Sequence, residues 1–240
     1  MRMSRRMGLY VPTFAGVPEF TYSGTYNVID DGDGNWRIEF LDTGTLTFNK
    51  LGSAKDGIDA FIVGAGAGGG PSTTKINDYV TTKGAGGGGG RTKTVKNIPV
   101  EKGEPYTITV GAGGAISTNG GVSSAFGNSV TVATAGGNTN GGNGGSGGGA
   151  GINNNKSDVT AGGTNGGNGA DNPLDANNYK GGTGQGTTTK EFGESNGKLY
   201  SAGGNGGGAG VKNGSANTGN GGNRASKGGS GIVIIRNKRG

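Results

Sequence analysis

Ile58-Asp-Ala-Phe-Ile-Val63 runs without a break into Gly64-Ala-Gly-Ala-Gly-Gly-Gly70. The first half is a short apolar run of strand length, and it reads as a buried strand. The second half has almost no side chains to bury, so any order there must come from backbone hydrogen bonding. The mirror of this junction lies near the far end, where Gly228-Gly-Ser-Gly231 leads into Ile232-Val-Ile-Ile-Arg236. That run is fully apolar up to its arginine, as central strands are. Strands at both ends of the chain, with glycine-rich segments between them, imply one β-sandwich closed by its last strand.

Working outward, the other segments read as strands too. Phe20, Tyr22 and Tyr26 fall near a two-residue period and lead into Asn27-Val-Ile-Asp30. Trp36-Arg-Ile-Glu-Phe-Leu41 alternates after the turn cluster Asp30-Asp-Gly-Asp-Gly-Asn35. Thr43–Phe48, Arg91–Ile98 and Tyr106–Val110 follow the same pattern, and 122–133 reads as a hairpin around Gly127-Asn128. No segment of useful length keeps a 3.6-residue apolar period. The expected fold is all-β: a β-sandwich, of jelly-roll or tumour-necrosis-factor-like form, with an inserted polyglycine-II helix bundle. Phe40, Phe61, Ile62, Val110, Ile232 and Ile234 are its expected core. Residues 1–18 read as an N-terminal anchoring arm and 19–240 as the domain, with glycine elaborations mainly at 64–90 and 134–230.

The bundle is expected from the glycine pattern. Glycine supplies 61 of 240 residues, while hydrophobic residues make up only 29%. The tracts have a triplet period, as in Gly141-Gly-Asn, Gly144-Gly-Ser, Gly147-Gly-Gly and in Ala202-Gly-Gly, Asn205-Gly-Gly, Gly208-Ala-Gly. A three-residue turn is polyproline-II geometry, which has no internal hydrogen bonds. Fixing each residue costs ~1–2 kcal/mol of backbone entropy, and one net hydrogen bond returns only ~0.5–1.5 kcal/mol. A lone helix loses that comparison, so several must pack side by side. Collagen fits poorly, because glycine is not strictly every third residue and there are only 6 prolines.

The net charge of +6 lies at the two ends. Arg2, Arg5 and Arg6 supply half of it and Arg236, Lys238 and Arg239 the rest, while residues 11–230 are neutral. Nucleic-acid binding needs cations gathered on one folded face, so no nucleic-acid partner is expected. Without cysteine or histidine there are no disulfides, Cys or His metal sites, or His-based triads. The opening residues have no apolar run of signal-peptide length, and no stretch reaches the ~18 apolar residues of a membrane span.

Motifs that suggest chemistry have simpler explanations. Asp31-Gly-Asp-Gly-Asn35 starts like a calcium loop, but Trp36 stands where that loop needs glycine and Asp42 where it needs glutamate. It reads as a hairpin turn. Gly166–Leu174 fits a calcium nonapeptide only once, with Pro173 at a strand position. Gly84–Gly90 lacks the Gly-Lys-Ser/Thr of a phosphate loop. Glu191 with Glu194, or Asp171 with Asp175, would be the acids for glycoside hydrolysis, yet no pattern supports either pair. The chain is read as non-catalytic, with no metal and no cofactor. The informative residues lie in breaks between glycine tracts: Tyr79, Asn153, Asn154, Asn177, Asn178, Tyr179 and Phe192. Each aromatic there either faces a ligand or packs inward to cap its own turn.

Four stretches together resemble a glycine-rich domain common in phage tail and prophage proteins: Ile58–Gly70, Gly86–Val100, Tyr106–Gly114 and Gly228–Arg236. The triplet tracts are similar to the polyglycine-II sandwich of tail-fibre-tip adhesins from T-even-like phages. The order of strands and glycines also resembles the glycine-rich extracellular region of anaplastic lymphoma kinase. The resemblance implies a virion protein, assembled in host cytoplasm, whose displayed loops bind a host cell-surface glycan or protein. Other virion subunits would hold it through the arm residues Arg2, Arg5, Arg6 and Tyr10, and further copies could complete a homotrimer. The second reading is a purely structural or decoration spike of the phage particle.

Overall fold

The computed structural model describes residues 3–12, 14–71, 73–74, 81–82, 84–136, 141–151, 189–207 and 210–239. Its strands are β1 (Met3–Tyr10), β2 (Glu19–Gly32), β3 (Asn35–Phe40), β4 (Gly44–Lys50), β5 (Ile58–Val63), β6 (Thr73–Thr74) and β7 (Thr81–Thr82). They continue as β8 (Thr92–Ile98), β9 (Pro105–Ile108), β10 (Ser124–Ala125), β11 (Asn128–Ser129) and β12 (Ile232–Asn237). The helical content among the described residues is two short 3-10 turns, Gly52–Asp56 and Glu191–Gly193. The all-β expectation therefore holds at that level, and the described architecture is one curled antiparallel sheet with two small hairpins.

The curl follows from β2. Its 14 residues are longer than either partner on one edge, so β3 pairs with the second half and β4 with the first. β1 overlaps both halves and must take the opposite edge. From there the sheet divides, with β12, β5 and β8 continuing from β3 and β9 continuing from β4. Side chains from both divisions meet inside the curl, among them Phe20, Tyr22, Trp36, Phe40, Phe48 and Ile108. The hairpin turn Asp33-Gly34 has positive φ at both residues, 53° and 74°, which suits the right-handed twist of a two-residue hairpin.

β12 lies between β3 and β5, so the last strand is central as its sequence predicts. One correction concerns the core. Phe40 and Ile62 sit inside the curl, whereas Phe61, Ile232 and Ile234 form a separate cluster with Val63, Phe192 and Tyr200 on the other face. Val110 is only partly buried. The period of two sends alternate residues of a strand to opposite faces, and both faces of β5 and β12 are covered.

The described start of the expected arm is extended and lies along β2. Met3–Tyr10 is the eighth strand of the sheet, and Tyr10 is buried with its ring stacked 5.1 Å from that of Phe20. An unpaired β2 edge would offer a row of open backbone groups, and β1 closes it.

Beyond Val63 the hydrogen bonds change character. Gly64, Ala67 and Gly70 donate to the carbonyls of Arg91, Gly88 and Ala85. Ala65 and Gly68 donate to Gly121 and Thr118, and Gly66 and Gly69 donate to Gly229 and Ser226. Consecutive N–H groups thus turn to three different neighbours, and the partners move by three residues whenever the donor does. The returning tract repeats the rule: Gly86 and Gly89 donate to Gly149 and Ser146, and Gly87 and Gly90 to Gly222 and Gly219. These tracts pack at backbone contact distance. A Cβ on Gly68 would lie 1.8 Å from the carbonyl oxygen of Ala115, which leaves no room for any side chain.

Candidate functional site

The glycine tracts carry turns to a common end. The chain leaves the sheet at Val63 and reaches Gly70 one tract later, so Gly68–Gly70 mark the end away from the sheet. Ser117 donates to the Gly69 carbonyl there, Ala225 to that of Gly70, and Gly136 to that of Gly68. Gly207 donates to Gly84, the first residue of the returning tract. The turns at 115–118 and 223–226 therefore stand side by side, with Ile116 and the nearby Val211 exposed. Asn223 fixes part of this end by donating from its side-chain amide to the Gly210 carbonyl at 2.9 Å. β1 starts and β12 ends on the side of the sheet away from the glycine tracts. Met3 pairs with Val28, Val28 with Ile38 and Ile38 with Ile235, all in one row.

Of the candidates read from sequence, Tyr79, Asn153, Asn154, Asn177, Asn178 and Tyr179 lie outside the described residues, as does Arg2. Arg5 and Arg6 pair with Tyr26 and Thr25 along β2. Phe192 does not face outward. It is 5% exposed, its ring lies 5.8 Å from that of Phe61, and the Arg236 guanidinium covers it at 4.0 Å. The inward-packing alternative describes Phe192, and a φ of 52° turns it there. Ile116, Ser117 and Arg224 were not singled out by sequence, although Ala115–Asn119 interrupts glycine in the same way as the breaks that were.

A second feature escaped the sequence reading. On the outer face of the sheet, register places Ile29 beside Arg37, Arg37 beside Arg236, and Arg236 beside Asp59. The segment 189–200 folds over this row as a narrow hairpin. Lys190 bridges to Leu199, and Glu191 N–H donates to the Lys198 carbonyl at 2.9 Å. Phe192 and Tyr200 plug it into the cluster around Phe61. Between hairpin and sheet lies a cleft of about 540 Å³. Arg37 holds Asp31 through paired bonds of 2.9 Å and also reaches Glu191. Buried Arg236 binds Asp59 at 3.2 Å and Glu194 on the hairpin, and Arg239 binds Asp31.

Burial works to raise the Asp31 pKa, but the hydrogen bonds from Arg37 and Arg239 outweigh it and hold the carboxyl below its ordinary value. A carboxylate favoured in the folded state stabilises folding above its unfolded pKa of ~3.9 and loses that effect as pH falls through the lower folded value. Thermal melts of the wild type and Asp31→Asn should therefore differ near neutral pH, with the wild type more stable. The gap should close in acid below about pH 4. A gap that stays constant down to the acid limit would show that the Asp31 charge contributes nothing.

Among the described residues no helix is long and apolar enough to cross a membrane. A family model described as a glycine-rich domain matches residues 42–238. No curated protein and no solved structure matches the chain.

Proposed function

The chain belongs to the glycine-rich domain family, and from that premise we propose a receptor-binding component of a phage virion or tail fibre. In this reading the curled sheet is a β-sandwich, the glycine tracts are polyglycine-II helices, and the bundle displays loops that contact a host cell-surface glycan or protein. The observation that carries it is the gathering of turns at the end defined by Gly68–Gly70, away from the side where β1 starts and β12 ends. A β1 start and a β12 end on the side away from the loops suit attachment to other virion subunits there. Recognition residues concentrate in loops held by a rigid scaffold, and the three-residue rotation of hydrogen-bond partners supports such rigidity. Loops fixed beforehand avoid an ordering cost of ~0.5–1.5 kcal/mol per side chain on binding.

The segments 72–83 and 152–188 depart at Pro71 and Gly151 beside this end, the first returning at Gly84 there and the second at Thr189 of the 189–200 hairpin. Their amides and tyrosines can both donate to and accept from sugar hydroxyls. Replacing Asn178 and Tyr179 together with alanine should weaken adsorption of the purified protein to host cells at least tenfold, with its melting temperature nearly unchanged. Undiminished adsorption after both segments are replaced by glycine-serine linkers would favour the structural-spike reading.

A further inference from the structure

The cleft under the 189–200 hairpin carries features that fold stability alone does not call for. Arg37 and Arg236 stand directly opposite one another in register, and like charges so placed destabilise a sheet. Phe192 takes a left-handed backbone conformation to bring the hairpin down, and such local strain concentrates at functional sites. The volume of about 540 Å³ falls within the range of small-ligand pockets.

The wall of the cleft defines its ligand. Four carboxylates and four cations line it, so it presents both signs and no net charge. Its guanidinium groups already hold carboxylates, which leaves little for an anion to take. What remains uncommitted is mixed. Arg239 Nε is buried without a hydrogen-bond partner. The Lys198 ammonium is exposed above the Tyr200 ring at 4.8 Å and forms no ion pair among the described residues. Asn196 is exposed at the rim, and Glu194 keeps 43% of its side chain accessible. Donors and acceptors interleaved in a charge-balanced cleft match hydroxyl groups, which donate and accept at once, and bonds to ionised partners are the stronger kind.

We propose that this cleft is a saccharide site, taking a neutral one- or two-ring sugar between the sheet and the 189–200 hairpin. It is separate from the loop end of the bundle and does not depend on the function proposed there. Asn196 and Lys198 bind hydroxyls at the mouth, and Glu194 accepts from them.

Ligand-observed NMR and calorimetry on the full chain test this with maltose, lactose and chitobiose as neutral probes and galacturonate as the acidic one. At least one neutral probe should bind. Asn196→Ala with Lys198→Ala should weaken it tenfold or more, and Asn196→Trp, which fills the mouth, should abolish it. Both variants change exposed positions, and their melting temperatures should stay within about 2 °C of wild type. No binding of any neutral probe at millimolar concentration would overturn the proposal, as would tighter binding of galacturonate. Sugar binding that survives both variants but disappears when 72–83 and 152–188 are replaced would also overturn it, by moving the site to the loop end.

Discussion

Gly90→Ala should destabilise the protein by about 4 kcal/mol or more, beyond the 1–3 kcal/mol usual for an overpacked core. The added Cβ would lie 1.8 Å from the carbonyl oxygen of Gly64. That contact is backbone on backbone, so no rotamer change relieves it, and the tracts must separate. Separation then breaks shared bonds, because Gly90 donates to Gly219 while the Gly64 N–H bonds to Arg91 alongside. Each buried group left without a partner costs a further ~1–3 kcal/mol. Chemical denaturation should show a large fall in midpoint, or the variant should accumulate as insoluble protein. Ala67→Gly is the control. Ala67 is fully buried in the facing tract, yet its methyl group is accommodated, so its loss should cost only ~0.5–1 kcal/mol. Equal effects of the two substitutions would show that the tracts are not held at backbone contact.

Phe61→Ala should cost about 3–5 kcal/mol. Phe61 is fully buried on the central strand β5, and its ring meets those of Phe192 at 5.8 Å and Tyr200 at 5.5 Å. These are the two residues that seat the 189–200 hairpin. The cavity should therefore loosen the hairpin as well as destabilise the fold. Hydrogen exchange at Glu191 and Tyr200, whose N–H groups bond across the hairpin, should accelerate more than exchange in β2 or β4. Ile38→Ala, on the same sheet but inside the curl, should lose similar global stability without that selective acceleration. Equal acceleration in both variants would mean that the hairpin is not seated by Phe61.

Much of the fold was legible because it is written in local chemistry. Alternation marked Trp36–Phe40, an unbroken apolar run marked Ile232–Ile235 as central, and Asp33-Gly34 announced a hairpin through its tolerance of positive φ. The candidate site was legible only as a pattern of interruptions. Tyr79 and Tyr179 were chosen because they break glycine tracts, and by the same criterion Phe192 qualified. Its packing against Phe61 and under Arg236 depends on strands at the two ends of the chain, which no local pattern reports.

Composition and pattern alone make this a β protein whose middle must be ordered by its backbone, since 61 glycines leave little else to bury. Local pattern also marked most of the strands, β1 excepted, because side-chain period and turn residues act over a few positions. Which tract each glycine bonds to, the closing of the β2 edge by Met3–Tyr10, and the meeting of Asp31, Arg37, Glu191, Arg236 and Arg239 in one cleft emerge only from the folded chain. The reason is physical. A glycine N–H is the same in every tract, so its partner is selected by where the sheet launches the chain and not by any side chain. The ion pairs join residues as far apart as Asp31 and Arg239, 208 positions in sequence, and opposite charges carry no mark of their partner until the fold brings them together.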